Sequence, residues 1–276
     1  MKKLSLLFLV ILIGLLISAC GNGALYGQSP PLKPSDDAPV VEPDVATETA
    51  EVAIYFSDWQ AQHVIPEFRE LESGETNLAK RVVLEFLKGP EQPHLHRTFP
   101  EDTELIGVEI KEEIAYVNFK SGISIPGTAG EAAAIRSLFL TLTDLPGVEM
   151  VQVLVEGRSD VSFGGHYLLS EPWERPEIVT YPVFMDEERA KWLQDRAEDG
   201  FETWRFNPEE VAAKEGRMLG FSSETEFELI GIIQDTVPTA SVKAIHMGEE
   251  YIIEMIQPLE KGEAGVWMII ECSIGS

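Results

Sequence analysis

Along the chain, apolar runs of period 2 alternate with apolar runs of helical period, and their order predicts the architecture. Residues 52–56 form a short apolar strand rich in β-formers, and 64–71 read as extended or a short strand. Asn77 is a suitable N-cap for a helix in which Leu78, Val82, Val83, Phe86 and Leu87 recur at helical spacing, and Gly89-Pro90 ends it. Ile106, Val108 and Ile110 alternate in one strand, and Ile114, Tyr116 and Phe119 are the apolar positions of the next, an antiparallel hairpin turning at Lys111, Glu112 and Glu113. Thr128 or Gly130 caps a second helix over 131–143, whose buried stripe is Ala132, Ile135, Leu138, Phe139 and Leu142. Residues 148–155 return as a strand. Strand, helix, strand, strand, helix, strand is an α+β domain, and it spans 52–178.

Pro172, Pro176 and Pro182 punctuate the chain after this domain. A smaller α+β domain follows over 183–276, helices first and then antiparallel strands. Residues 186–197 carry a partial apolar stripe of Ala190, Leu193 and Ala197. Asn207, Pro208 and the acids after them mark a helix start, and the helix runs to about 219 before Gly220. Strands are expected at 226–234, 241–246, 251–257 and 266–272, with a hairpin turn at Gly248-Glu249. Each region has its own apolar periodicity, so a fragment of residues 48–178 is expected to fold by itself.

At the start of the chain, Lys2 and Lys3 precede a 14-residue apolar run, residues 4–17, shorter than the roughly 20 residues needed to span a bilayer. Residues 1–19 therefore read as a signal peptide. Ile17-Ser18-Ala19-Cys20-Gly21 resembles the bacterial lipobox, which implies acylation of Cys20; two acyl chains suffice for stable anchoring. Residues 20–51 hold prolines 30, 31, 34, 39 and 43 and too few apolar residues to fold, so they read as a disordered tether.

Charge narrows the partners. The formal net charge is -26, and it becomes -28 once Lys2 and Lys3 leave with the leader. So negative a chain argues against nucleic-acid backbones and anionic lipid surfaces as partners. With 44% hydrophobic residues it is nonetheless a folding chain rather than an acidic tail.

Candidate chemistry is sparse. His94 and His96 at i, i+2 would chelate a metal on a strand, but no third ligand is apparent, so they read as part of a polar loop. His63, His166 and His246 are isolated. Gly164-Gly165-His166 invites comparison with phosphate loops but lacks the lysine and the helix, and reads as a turn. Ser162 and Ser170 lie outside any nucleophile-elbow pattern. Glu187-Glu188, Glu209-Glu210 and Glu249-Glu250 are adjacent pairs and read as solvated charge. Tyr55, Phe56, Trp59, Tyr116 and Phe119 would make a sugar-stacking surface if exposed, although strand cores use such residues more often. With Cys20 acylated, Cys272 is a lone thiol in an apolar run with no basic neighbour, expected to be buried and inert. No catalytic set, metal site or cofactor is predicted.

Ile54-Tyr55-Phe56 with Asp58, Pro66-Glu67-Phe68-Arg69, Leu87-Lys88-Gly89-Pro90, Phe99-Pro100-Glu101-Asp102-Thr103, Ala115 to Phe119, Leu140 to Thr143 and Val153 to Gly157 together resemble the GerMN domain of sporulation and spore-germination lipoproteins. Asn118 departs from the pattern, where Asp is the commoner residue. The resemblance implies a non-catalytic lipoprotein on the extracytoplasmic face of the cell membrane, held by lipid (palmitate) on Cys20 and working in sporulation or germination through contact with other envelope or sporulation proteins. The alternative is a peptidoglycan-binding or wall-hydrolase accessory.

Overall fold

β1 (Thr49–Ser57) is buried on both faces and belongs to two hydrophobic cores at once. Val52, Ile54 and Phe56 enter one core, Ala53 and Tyr55 the other. Side chains alternate across a strand, so two-sided burial demands apolar residues at every position, which 52–56 supply. The computed structural model describes residues 49–73, 77–175, 178–180, 183 and 185–275. The expected signal peptide, Cys20 and nearly all of the tether lie outside the described residues.

β2 (Val64–Glu72) pairs antiparallel with β1 over its full nine residues, so the stretch read as extended is a complete strand. Pro66 fits there because β2 is an edge of this two-stranded sheet. α1 (Leu78–Lys88) begins where Asn77 accepts from the Lys80 N–H at 3.1 Å and ends at Gly89, whose φ of 88° favours glycine. β3 (Leu105–Lys111) and β4 (Ile114–Phe119) form the expected hairpin. α2 (Thr128–Thr143) then crosses over to β5 (Met150–Val155), which runs parallel to β4, and β6 (Trp173–Glu174) closes the order β3-β4-β5-β6.

Three details differ from the sequence expectation. Val108 is buried, but Ile106 and Ile110 are exposed, because β3 is a sheet edge with a bulge between Leu105 and Gly107. In β4 the core face is Ala115, Val117 and Phe119, which leaves Ile114 and Tyr116 on the other side. α2 starts at a Gly127 cap that makes no side-chain bond, and it is buried far beyond one stripe, from Ala133 to Leu142 except at Arg136. The reason is that Leu140 faces the second core while Ala134, Ile135, Leu138, Phe139 and Leu142 face the first.

In the C-terminal region α3 (Glu187–Glu198) is capped by Asp186, and α4 (Pro208–Glu215) by Asn207. A 3-10 turn at Gly216–Leu219 follows and ends at Gly220. Four antiparallel strands make a meander in the order β10-β9-β8-β7: β7 (Glu226–Ile233), β8 (Thr239–His246), β9 (Glu249–Ile256) and β10 (Met268–Ile274). Met247 and Gly248, both at positive φ, form the two-residue turn between β8 and β9. The inner sheet face carries Ala240, Val242, Ala244, Ile253 and Met255, and these pack in the same cluster as Ala53, Tyr55, Val64 and Leu140. The two regions thus share a core built on the second face of the β1–β2 hairpin. No helix among the described residues is long and apolar enough to cross a membrane.

Candidate functional site

Buried polar residues mark where this fold is pinned, and among the described residues four clusters involve the N-terminal region and a fifth lies in the C-terminal region. The first joins the two regions. Tyr55 donates from its backbone N–H to the Thr141 hydroxyl at 3.0 Å and from its own hydroxyl to Asp144 at 2.5 Å. Arg175 donates to Asp144 at 2.7 Å, to the Thr143 hydroxyl at 3.1 Å, and to the carbonyls of Arg217 and Gly220. Burial, and then the Asp144 charge, push the Tyr55 phenol well above its usual pKa, so it remains a donor at neutral pH.

The second cluster ties β2 to the loop after α1. Glu67 accepts from the backbone N–H groups of Glu91 and Gln92 at 2.9 and 2.8 Å, while Arg69 donates to Glu67 and to the Gly89 carbonyl. The third holds the turn after β1: Asp58 accepts from the N–H groups of Gln60, Gln62 and His63 and contacts the His63 ring at 2.7 Å. This turn places Ala61 at a φ of 56° and leaves Trp59 65% exposed.

Glu131 forms the fourth. Its carboxylate, fully buried, accepts from the Ser162 hydroxyl at 2.7 Å and from the N–H groups of Phe163, Gly164 and His166 at 2.9, 2.7 and 2.9 Å. Burial alone would raise its pKa; these hydrogen bonds outweigh burial and hold it below the ordinary carboxylate range. The Gly164 segment therefore does cradle an anion with backbone N–H groups, and the anion is the chain's own carboxylate. A side chain at position 164 would collide with the Ile125 carbonyl and Glu131.

The C-terminal region has a buried ionic chain of its own. Glu215 accepts from Arg189 at 2.6 Å and Arg205 at 2.7 Å; Arg205 also donates to Glu202 at 2.7 Å, and Arg196 donates to Glu202 at 2.9 Å. Burial would raise the Glu215 pKa, but the two guanidiniums more than reverse this and keep it ionised. A cleft of about 540 Å³ opens beside this chain, with Phe68, Arg69 and Glu91 on one wall and Arg196, Phe201 and Glu202 on the other. Arg196 lies over the exposed Phe201 ring, 4.8 Å from its centroid.

The histidine pair of the sequence is not assembled as a chelate. His94 is buried with its ring 6.1 Å from that of Trp192, whereas His96 is exposed and pairs with Ser57 through its backbone. Burial, and then Arg189, lower the His94 pKa to about 4. No group of three or more His, Cys, Asp or Glu residues suited to a metal occurs among the described residues. His63 serves Asp58, His166 exposes its side chain, and His246 sits 2.8 Å from the Thr225 hydroxyl. Ser162 is spent on Glu131, and Ser170 is half-buried. The paired acids Glu187-Glu188 and Glu209-Glu210 occupy the first turns of α3 and α4, where they favour the helix dipole, and Glu249-Glu250 opens β9. Cys272 is buried, and burial followed by Glu271 raises its pKa to about 11, which suits an inert thiol. Tyr55, Phe56 and Phe119 are core residues, so the five aromatics do not share a stacking surface; only Trp59 among them is well exposed. Asn118 accepts from the Gly157 N–H at 3.0 Å and so caps the end of its strand, a task that needs no charge.

Residues 53–161 match the family model described as "Germane: Sporulation and spore germination". That stretch of the chain is similar to the Germane family. Over 148 residues it is 28% identical to the spore germination protein GerM of Bacillus subtilis (strain 168), a stretch that covers 50% of this chain and 40% of the relative. The matched stretch is thus well under two thirds of that protein's length. Among solved structures, the tandem GerMN domains of the sporulation protein GerM from Bacillus subtilis align with 25% identity and a TM-score of 0.41, covering 50% of each chain. A candidate lipoprotein from Clostridium perfringens aligns with 25% identity and a TM-score of 0.35, covering 46% of this chain and 88% of the other. Tyr55, Asp58, Glu67, Arg69, Glu131 and Asp144 all lie within the Germane match, and each serves an internal clamp. The clamp roles of Glu131, Asp144 and Glu215 carry no signal in the sequence: nothing in a local pattern distinguishes a carboxylate that will be buried from one that will be solvated.

Proposed function

We propose that this chain is a non-catalytic envelope lipoprotein whose Germane domain acts in sporulation or spore germination through contact with other envelope proteins. Lipid on Cys20 holds it to the extracytoplasmic face of the membrane, and residues 20–51 act as the tether. The reading is carried by the Germane match over 53–161, taken with the way the polar residues inside that match are used. Asp58, Glu67, Arg69, Glu131 and Asp144 each hydrogen-bond to their own fold. A domain whose buried charges are committed to holding its shape offers a rigid outer surface, which suits contact. The acidic charge of -26 keeps that surface off anionic lipid and nucleic acid. A second reading, attachment to peptidoglycan, draws on the cleft beside Phe201, where an aromatic ring and flanking Arg and Glu side chains would suit a glycan.

Deleting the gene in its host and scoring heat-resistant spores and germination tests the proposal. Loss of either, restored by the wild-type gene, is the expected result. Normal sporulation and germination together with reduced binding of the protein's partners to purified wall would favour the second reading.

A further inference from the structure

β7 is an open edge of the C-terminal sheet, and its outer half is apolar. Ile230 and Ile233 are 56% and 67% exposed, Ile232 is exposed too, and a bulge between Leu229 and Gly231 leaves Ile230 without a partner on β8. A long, apolar, uncovered edge is a template for another strand. The sequence here is close to symmetric about Gly231: Leu229-Ile230-Gly231-Ile232-Ile233.

We infer that β7 pairs antiparallel with β7 of a second copy of this chain, with Gly231 on the two-fold axis, joining two four-stranded sheets into one of eight. In that register Ile230 faces Ile232 of the other copy and Leu229 faces Ile233. Beyond this centre Glu228 meets Gln234, Phe227 meets Asp235 and Glu226 meets Thr236, so no two like charges are opposed. Moving the axis one residue towards the N-terminus places Glu228 opposite Ile232; moving it one residue the other way places Asp235 opposite Leu229. Of these registers, only the one centred on Gly231 matches apolar to apolar across residues 229–233, which is the self-complementarity an isologous contact needs. A Cβ added at Gly231 meets nothing within 4 Å, so two backbones can approach there. Because each copy is strongly acidic, the pairing strengthens as salt screens the mutual repulsion.

The test uses the full chain in detergent, in a Cys20→Ser background where the buried Cys272 is the only other thiol. Gly231→Cys on the axis is expected to oxidise to a cross-linked dimer at least about tenfold faster than Met247→Cys, a fully solvent-facing control in the β8–β9 turn, since paired strands bring Cα atoms within disulfide range. Sedimentation velocity supplies an independent readout. Ile230→Lys is expected to weaken self-association about tenfold or more, as charge does on strand edges. The double variant I230K/I232E is expected to regain it, because each new lysine then faces the other copy's new glutamate. Equal cross-linking at 231 and 247, an unchanged sedimentation profile for Ile230→Lys, or no recovery in the double variant overturns the inference.

Discussion

The Tyr55 hydroxyl donates to Asp144 across 2.5 Å, linking a strand to the end of a helix 89 residues later in the chain. Asp144 is held in turn by Arg175, which reaches the Arg217 and Gly220 carbonyls. Three segments from both halves of the protein therefore converge on one carboxylate. Tyr55→Phe removes a hydrogen bond to a charged group and is expected to cost about 1.5–3 kcal/mol in urea unfolding. The folded pKa of Tyr55 is raised, so its contribution is present below the ordinary tyrosine range of about 10 and is lost as pH climbs through the folded value. An Asp144→Ala variant with wild-type stability would contradict this placement.

Glu131 offers a sharper case. Glu131→Ala strips acceptors from the Ser162 hydroxyl and three backbone N–H groups, with an expected cost of about 3 kcal/mol. Faster amide exchange at Phe163, Gly164 and His166 should accompany it. Since the Glu131 pKa is depressed in the folded chain, its share of stability is present above the unfolded carboxylate pKa and is lost as pH falls through the folded one.

The buried Glu215 anchors Arg189 and Arg205. Removing its charge with Glu215→Gln leaves the buried Arg189 uncompensated and Arg205 with Glu202 alone, and breaking a buried pair this way costs about 3–5 kcal/mol. Thermal unfolding followed by circular dichroism measures it. A shift no larger than that of an exposed Glu226→Gln would count against the network as described.

What the sequence makes legible here follows from physics that is local. The N-caps Asn77 and Asn207, the Gly89 stop and the hairpin strands are short-range features, and all form. The failures are long-range. Ile106 and Ile110 alternate as a core face should, yet β3 is an edge and leaves them exposed. Leu140 falls outside the expected stripe of α2 because a second core lies on its other side. Among the buried charges, Arg189 and Arg205 look like any surface arginine until their partner Glu215 is placed.

The shared core bears on how the chain comes apart. Tyr55, Val64 and Leu140 are packed against Val211, Phe221 and Val242. The full chain is expected to unfold in one transition over 49–275, with fluorescence and far-ultraviolet dichroism coincident. A fragment of residues 48–178 exposes that face and should be less stable and bind a hydrophobic dye. Two resolved transitions in the full chain, or a fragment as stable as its parent, would show that the regions fold separately.

The anchored, contact-based role is tested most directly by complementing a deletion strain with the Cys20→Ser chain and measuring palmitate labelling, membrane fractionation and germination in the same cells. The predicted result is a chain without label, released to the medium or stalled as the uncleaved precursor, that leaves the defect unrepaired. A processed Cys20→Ser chain retained in the membrane, or full repair by a released one, would contradict the account.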